Sequence, residues 1–148
     1  MSCTREQAIK RILERYGKDA VYIFSLGYIS RTAYKLCEGK YNAFYMLGSM
    51  GLTSAIAHGI MLNSRKRPIV IVRGNGDKVM CPTNWSPHVE YVLDNGIYES
   101  TGGQDTPPTM DVIFDEVNTI DIRPSPPDPR ITKDPKEIAR DIIHCLAS

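Results

Sequence analysis

Pro68-Ile69-Val70-Ile71-Val72-Arg73-Gly74-Asn75-Gly76-Asp77 decides the fold class. Four β-branched apolar residues stand in a row, with no polar residue alternating between them. Such a run is a strand buried on both faces, which is how a central strand of a parallel sheet reads. It ends in two glycines flanking an amide, with an acid behind them. Working outward, strands alternate with helices. Upstream, Leu52 to Leu62 reads as a helix buried nearly all round, and Asn42 to Leu47 as a strand closed by Gly48-Ser49-Met50-Gly51. Ser30 is placed to cap a helix running to about Cys37. Val21 to Leu26 is a short buried strand ended by Gly27. Before it, Thr4 and Gln7 form a capping-box pair, and Ala8, Ile9, Ile12, Leu13 and Tyr16 recur at helical spacing until Gly17.

Downstream, Val89 to Leu93 reads as another strand, delivering Asp94-Asn95-Gly96. Met110 to Phe114 and Val117 to Ile122 have strand composition. Seven of the ten prolines lie from Pro107 onward, and Pro124 to Pro129 reads as an extended connector. Asp134 before Pro135 fits an N-cap with proline at the first helical position, and Ile138, Ile142, Ile143 and Leu146 give the last helix its apolar face. The expected fold is α/β: a mostly parallel sheet with helices on both faces. Residues 1–148 are read as one domain, with a proline-rich segment over 105–130 and a closing helix over 134–147.

Composition narrows the function. The 148 residues are 42% hydrophobic and 24% charged, which are globular values. Eighteen Lys and Arg against seventeen Asp and Glu leave a net charge of +1, so no basic excess exists to hold nucleic acid or an anionic membrane. No apolar run has the length of a membrane span, and the polar start is unlike a secretory signal, so a cytoplasmic location is expected. Cys3, Cys37, Cys81 and Cys145 lie far apart, with no CxxC pair, and read as reduced thiols.

In parallel α/β sheets, ligands bind beyond the carboxyl ends of the strands. Here those ends carry Gly27, Gly48, Gly74 and Gly96, four loops of ligand-binding composition on one edge. Glycines at Gly74-Asn75-Gly76 let backbone N–H groups approach a diphosphate, and Asp94 and Asn95 bring oxygen donors to the same edge, as a bridging magnesium ion needs. From spacing alone, two ordinary turns remain the alternative. Arg31 and Lys35 lie just past a strand end, where cationic side chains suit an anionic substrate group; an exposed helix face is the plainer reading. His58 and His144 read as packing residues, His88 as a loop residue, Trp85 as a packing anchor, and Cys81 as a thiol with no evident base.

Two longer stretches carry a resemblance. Phe44-Tyr-Met-Leu-Gly-Ser-Met-Gly-Leu52 and Leu93-Asp-Asn-Gly-Ile-Tyr-Glu-Ser-Thr-Gly-Gly-Gln104 resemble the thiamine-diphosphate-binding domain of the phosphonopyruvate and sulfopyruvate decarboxylases. Between them, Val70 to Met80 is similar to that family's strand and Gly-Asp-Gly motif. The resemblance implies that Gly27, Tyr28 and Ser30 line the diphosphate pocket, together with Gly74, Asn75, Gly76 and Asp77. It implies that Gly48 offers its carbonyl to the aminopyrimidine, that Ser49 sits beside it, and that Met50 props the cofactor in its bent form. It implies magnesium on Asn75, on the Asn95 side chain and on the Ile97 carbonyl, with Tyr98 over the cofactor. The implied reaction is loss of carbon dioxide from a small anionic 2-oxo acid. The glutamate that activates the cofactor is expected from a partner chain carrying a pyrimidine-binding domain, in a hetero-oligomer.

Three departures mark the chain as a trimmed version of that fold. Asn75 stands where the family's motif has Asp, so the magnesium site loses a negative charge; Asp77 either compensates or is a solvated turn residue, and the turn role is the expectation. Residues 77–93 are a short interval, and Cys81 to Pro87 leaves little room for the family's helix. After Gln104, a helix and a strand are missing before Ile120-Asp-Ile-Arg-Pro124. The alternative they support is a degenerate subunit that scaffolds or regulates a partner.

Overall fold

The structure is a computed structural model, and it describes residues 2–63, 66–82, 89–107 and 118–148. The readings for Met110 to Phe114, Trp85 and His88 lie outside the described residues. Helix α1 (Arg5–Tyr16) carries the capping box, with Gln7 N donating to Thr4 Oγ1 at 3.2 Å. Then come β1 (Val21–Phe24), α2 (Tyr28–Cys37), β2 (Asn42–Tyr45), α3 (Thr53–Asn63), β3 (Ile69–Gly74), α4 (Asn75–Met80), β4 (Val89–Asp94), β5 (Asn118–Asp121) and α5 (Pro135–Ala147). The sheet order is β2-β1-β3-β4-β5, and every pairing is parallel.

The unbroken apolar runs are explained by two cores, one per face. Tyr22, Phe24, Val70 and Val72 point toward α1 and α2, joined by Ile9, Ile12, Leu13 and Ala33. Their neighbours Val21, Ile23, Ile69 and Ile71 point the other way, against Ala57 of α3 and Ile142 of α5. A period of two in a strand buried on both sides therefore leaves no polar position. On the first face, Phe24 stacks on Tyr22 and on Tyr45. Helix α5 contributes Ile138 to one core and Ile142 to the other, so it closes the β2 edge rather than covering a face. Asp134 caps it, accepting from Lys136 N at 2.7 Å, with Pro135 in the first turn.

Four expectations change. Helix α2 starts at Tyr28, because Gly27, at φ 82°, is its N-cap and supplies no side-chain bond. Ser30 is inside the helix, and its hydroxyl donates to Ser25 O at 2.6 Å and Met46 O at 2.9 Å, tying the ends of β1 and β2 together. Helix α3 is buried on one side only, through Thr53, Ser54 and Ala57, and Leu52 before it and Leu62 at its far end are exposed. A short helix does fit after β3, because α4 begins inside the Gly-Asn-Gly motif instead of after it. Ile143 is exposed, since α5 packs through Ile138 and Ile142.

The register sets up one working edge. Phe24 lies opposite Tyr45 and Val72, and Gly74 opposite Leu93. The loops after β1, β2, β3 and β4 therefore leave the sheet side by side.

Candidate functional site

A cavity of about 400 Å³ opens on this edge, with Gly27, Tyr28, Met50, Asn75, Asn95 and Tyr98 in its wall. Ser25 Oγ accepts from Gly74 N at 3.2 Å and fastens the β1 loop to the β3 loop beneath it. Asn75 is buried, and its Nδ2 faces Asn95 Oδ1 at 3.3 Å, Ile97 O at 3.5 Å and Thr106 Oγ1 at 3.5 Å. Three residues from two loops, those after β3 and β4, thus converge on one point.

The orientation of Asn95 has a cause. Its Nδ2 donates to Glu99 Oε2 at 2.9 Å, while its Oδ1 accepts from Ile97 N at 3.2 Å. Glu99 accepts only, so the amide cannot turn its nitrogen toward Asn75 without losing that bond. Glu99 is fixed in turn. Oε2 pairs with Arg5 at 2.9 Å, and Oε1 accepts from Ser125 N at 2.8 Å. Arg5, 2% exposed, also reaches Thr32 Oγ1 and the Ser125 carbonyl, and lies 5.2 Å from the centre of the Tyr28 ring.

The donor set suits a hard cation in part. Asn95 Oδ1 and Ile97 O face a common point, and a half-turn of the Asn75 amide presents an oxygen there in place of nitrogen. All three oxygens are uncharged. A divalent ion held by them needs its charge balanced by an anionic ligand, such as a diphosphate.

Gly76 marks a close approach. A Cβ there would stand 3.0 Å from the Tyr98 ring and 3.1 Å from Met50 Cε, so the two residues expected to touch the cofactor meet over this glycine. Gly48 and Ser49 lie on the exposed part of the loop that leads to Met50, and Ser49 adopts φ 60°. The Tyr98 loop folds back on itself: Tyr98 N donates to Gln104 O at 2.8 Å, and Gly103 N to Tyr98 O at 3.0 Å.

Asp77 corrects the reading made from spacing. It is buried, not a solvated turn residue, and both carboxylate oxygens are engaged. Oδ1 accepts from Gly51 N at 2.8 Å; Oδ2 accepts from Arg73 Nε at 2.6 Å and Thr53 Oγ1 at 3.1 Å. Arg73 continues to Ser54 Oγ at 2.7 Å and Glu90 Oε1 at 3.4 Å, and Lys78 Nζ lies 2.9 Å from the same Glu90 oxygen. Two cations and two anions are thus buried together, which is how a charged group tolerates the interior. The network holds the Met50 loop against the β3–α4 turn. Sequence reasoning passed over Arg73, Lys78 and Glu90 as participants. A signal existed: Glu90 stands in an apolar strand and Arg73 at the end of one, and charges there are buried only when paired.

Arg5 and Glu99 were also passed over. Glu99 sits inside the quoted 93–104 stretch, whereas Arg5 lies at the start of a helix, far from it in sequence. Lys35 is committed elsewhere, pairing with Glu6 and Asp128, while Arg31 rests 5.2 Å from the Tyr28 ring. His58 is half-buried on α3 and His144 is exposed on α5. The four cysteines are free thiols, with Cys37 pushed up to about 12 by burial. Among the described residues no cluster of His, Cys, Asp and Glu is placed to hold a metal, and no helix is long and apolar enough to cross a membrane.

Comparison with known proteins agrees with this geometry. The family described as "Thiamine pyrophosphate enzyme, C-terminal TPP binding domain" matches residues 27–140. A phosphonopyruvate decarboxylase of Streptomyces viridochromogenes is 36% identical over 114 residues, covering 70% of this chain and 28% of that protein. The sulfopyruvate decarboxylase subunit beta of Methanococcus maripaludis is 33% identical over 122 residues, covering 77% of this chain and 64% of the subunit. That of Methanothermobacter thermautotrophicus is 36% identical over 114 residues, 72% and 60%. The chain thus spans under two-thirds of the length of each of these relatives. With the strand-end loops, the parallel sheet and the match over most of its length in accord, the chain belongs to the family of C-terminal thiamine-pyrophosphate-binding domains of thiamine pyrophosphate enzymes.

Proposed function

We propose that this chain holds the diphosphate and the metal ion of thiamine diphosphate in a decarboxylase acting on phosphonopyruvate, sulfopyruvate or a similar anionic 2-oxo acid. The observation that carries the reading is the convergence of Asn75, Asn95 and the Ile97 carbonyl on one point, with the Asn95 oxygen held toward it by Glu99. When bound, thiamine diphosphate supplies the electron sink for loss of carbon dioxide. The chain's own residues bind and orient it. The backbone at Gly27, Tyr28 and Gly74 approaches the diphosphate, and Ser30 fixes the spacing of the loops it comes from. Asn75, Asn95 and Ile97 hold magnesium, whose charge is balanced by the phosphates. Gly48, Ser49, Met50, Gly76 and Tyr98 shape the space for the rings, and Asp77 keeps the Met50 loop in place.

The activating glutamate comes from a second chain with a pyrimidine-binding domain. The naming of several relatives as subunit beta supports a hetero-oligomer. So does the surface beside the cavity, where Leu47, Met50, Leu52 and Met80 are exposed together around the site that such a partner would cover. The second reading, a non-catalytic scaffold, is favoured by one observation. Asn75 brings no charge, and an N–H group rather than an oxygen faces Asn95 and Ile97.

Co-expression with a chain carrying a pyrimidine-binding domain tests the reading. The expected complex binds thiamine diphosphate and releases carbon dioxide from phosphonopyruvate or sulfopyruvate. A stable complex that binds no cofactor favours the scaffold.

A further inference from the structure

A second cavity, also about 400 Å³, lies on the β1–β2 side of the same edge and shares Leu26, Gly27 and Ser100 with the first. We infer that this cavity binds a phosphonate or sulfonate group through Arg31 and Arg130. On the function proposed above, that group is the far end of the 2-oxo acid.

The charge arrangement points there. Arg31 and Arg130 line the cavity, and no acidic residue among the described residues does. Neither arginine forms an ion pair with a described residue. The neighbouring cations differ: Arg5 is committed to Glu99, and Lys35, one turn along α2 from Arg31, to Glu6 and Asp128. Guanidinium stays charged at every working pH and meets tetrahedral oxyanions with paired N–H donors.

Arg31 is also held in place, and Arg130 is exposed on a segment pinned close by. Arg31 lies over the Tyr28 ring at 5.2 Å, which limits its motion. Arg130 is two residues past Asp128, which accepts from Thr32 Oγ1 at 2.7 Å and Lys35 Nζ at 3.1 Å and pins that segment to α2. Met46 and Leu47 give the cavity an apolar wall for a short carbon chain, and both directly precede Gly48. The oxygen donors proposed for magnesium, Asn75, Asn95 and Ile97, line the first cavity and not this one.

Calorimetric titration of the full chain with methylphosphonate and with methanesulfonate tests the inference, for the parent, Arg31→Gln and Arg130→Gln. Thiamine diphosphate with magnesium is titrated into the same three proteins, which also checks that the variants fold. The expected result is saturable binding of at least one probe, weakened about tenfold or more by each substitution, with thiamine diphosphate affinity unchanged. No saturable binding by the parent, or equal binding by all three, overturns it. Thiamine diphosphate weakened in step with the probe also overturns it, by assigning the arginines to the cofactor. Failure of the decarboxylase reading is distinct: the chain with its partner then releases no carbon dioxide from any 2-oxo acid, while the probe titrations still respond to Arg31 and Arg130.

Discussion

Asn95 donates its amide N–H to Glu99 at 2.9 Å, and that bond turns the Asn95 oxygen toward Asn75 and Ile97. Glu99 therefore acts on the proposed metal site without touching it. In Glu99→Gln the Asn95 amide loses a fixed acceptor and the buried Arg5 loses its counter-charge. Outer partners of this kind are worth about 10- to 100-fold in metal affinity, and an unpaired buried cation costs about 3 kcal/mol of stability. Urea unfolding and a magnesium titration read the two effects separately. Parent-like values in both would contradict the role given to Glu99.

The Arg73–Asp77 pair makes a different prediction. Asp77→Asn leaves Arg73 and Lys78 with one buried carboxylate between them and removes one of the two acceptor oxygens that hold Gly51 and Thr53. A loss of about 3–5 kcal/mol is expected. The companion Asp77→Asn/Arg73→Met removes both partners and should recover part of the loss, because no charge of that pair is left unmatched. A double variant whose loss equals the sum of the two single substitutions would show that the pair does not act as a unit.

Acid should loosen the segment that carries Arg130. Burial pushes the Asp128 carboxyl up, but hydrogen bonds from Thr32 and Lys35 and the charges of Lys35 and Arg5 outweigh it, so its pKa lies below the ordinary carboxylate value. A lowered folded pKa means the stabilisation is complete above about pH 4, the unfolded value. It is lost as pH falls through the folded value. The stability gap between the parent and Asp128→Asn should be constant above about pH 4 and shrink below it. A gap that does not change on acidification contradicts the assignment.

The parts legible in the sequence share a cause. Val21 to Phe24 and Ile69 to Val72 declare themselves because strands buried on both faces need apolar residues at every position. Asn75 and Asn95 could be placed on one edge because parallel strands point their carboxyl ends the same way. The start of α2 was misread because Gly27 caps without a side chain to signal it. Asp77 was misread because a turn and a buried ion pair have the same local spacing; only the fold shows Arg73, four residues earlier, reaching back to it. The Arg5–Glu99 contact joins residues 94 apart, which no local pattern reports.

The central claim is that the loops carrying Asn75 and Asn95 hold magnesium with the diphosphate, and one titration tests it most directly. Magnesium is added to the complex at fixed thiamine diphosphate, for the parent, Asn75→Asp and Asn95→Ala. Asn75→Asp restores a negative charge and should tighten magnesium and cofactor together, since each contributes to the binding of the other. Asn95→Ala removes an oxygen donor and should weaken both. Three separated curves in that order are the predicted result. Three coincident curves would contradict the claim and leave the scaffold reading in its place.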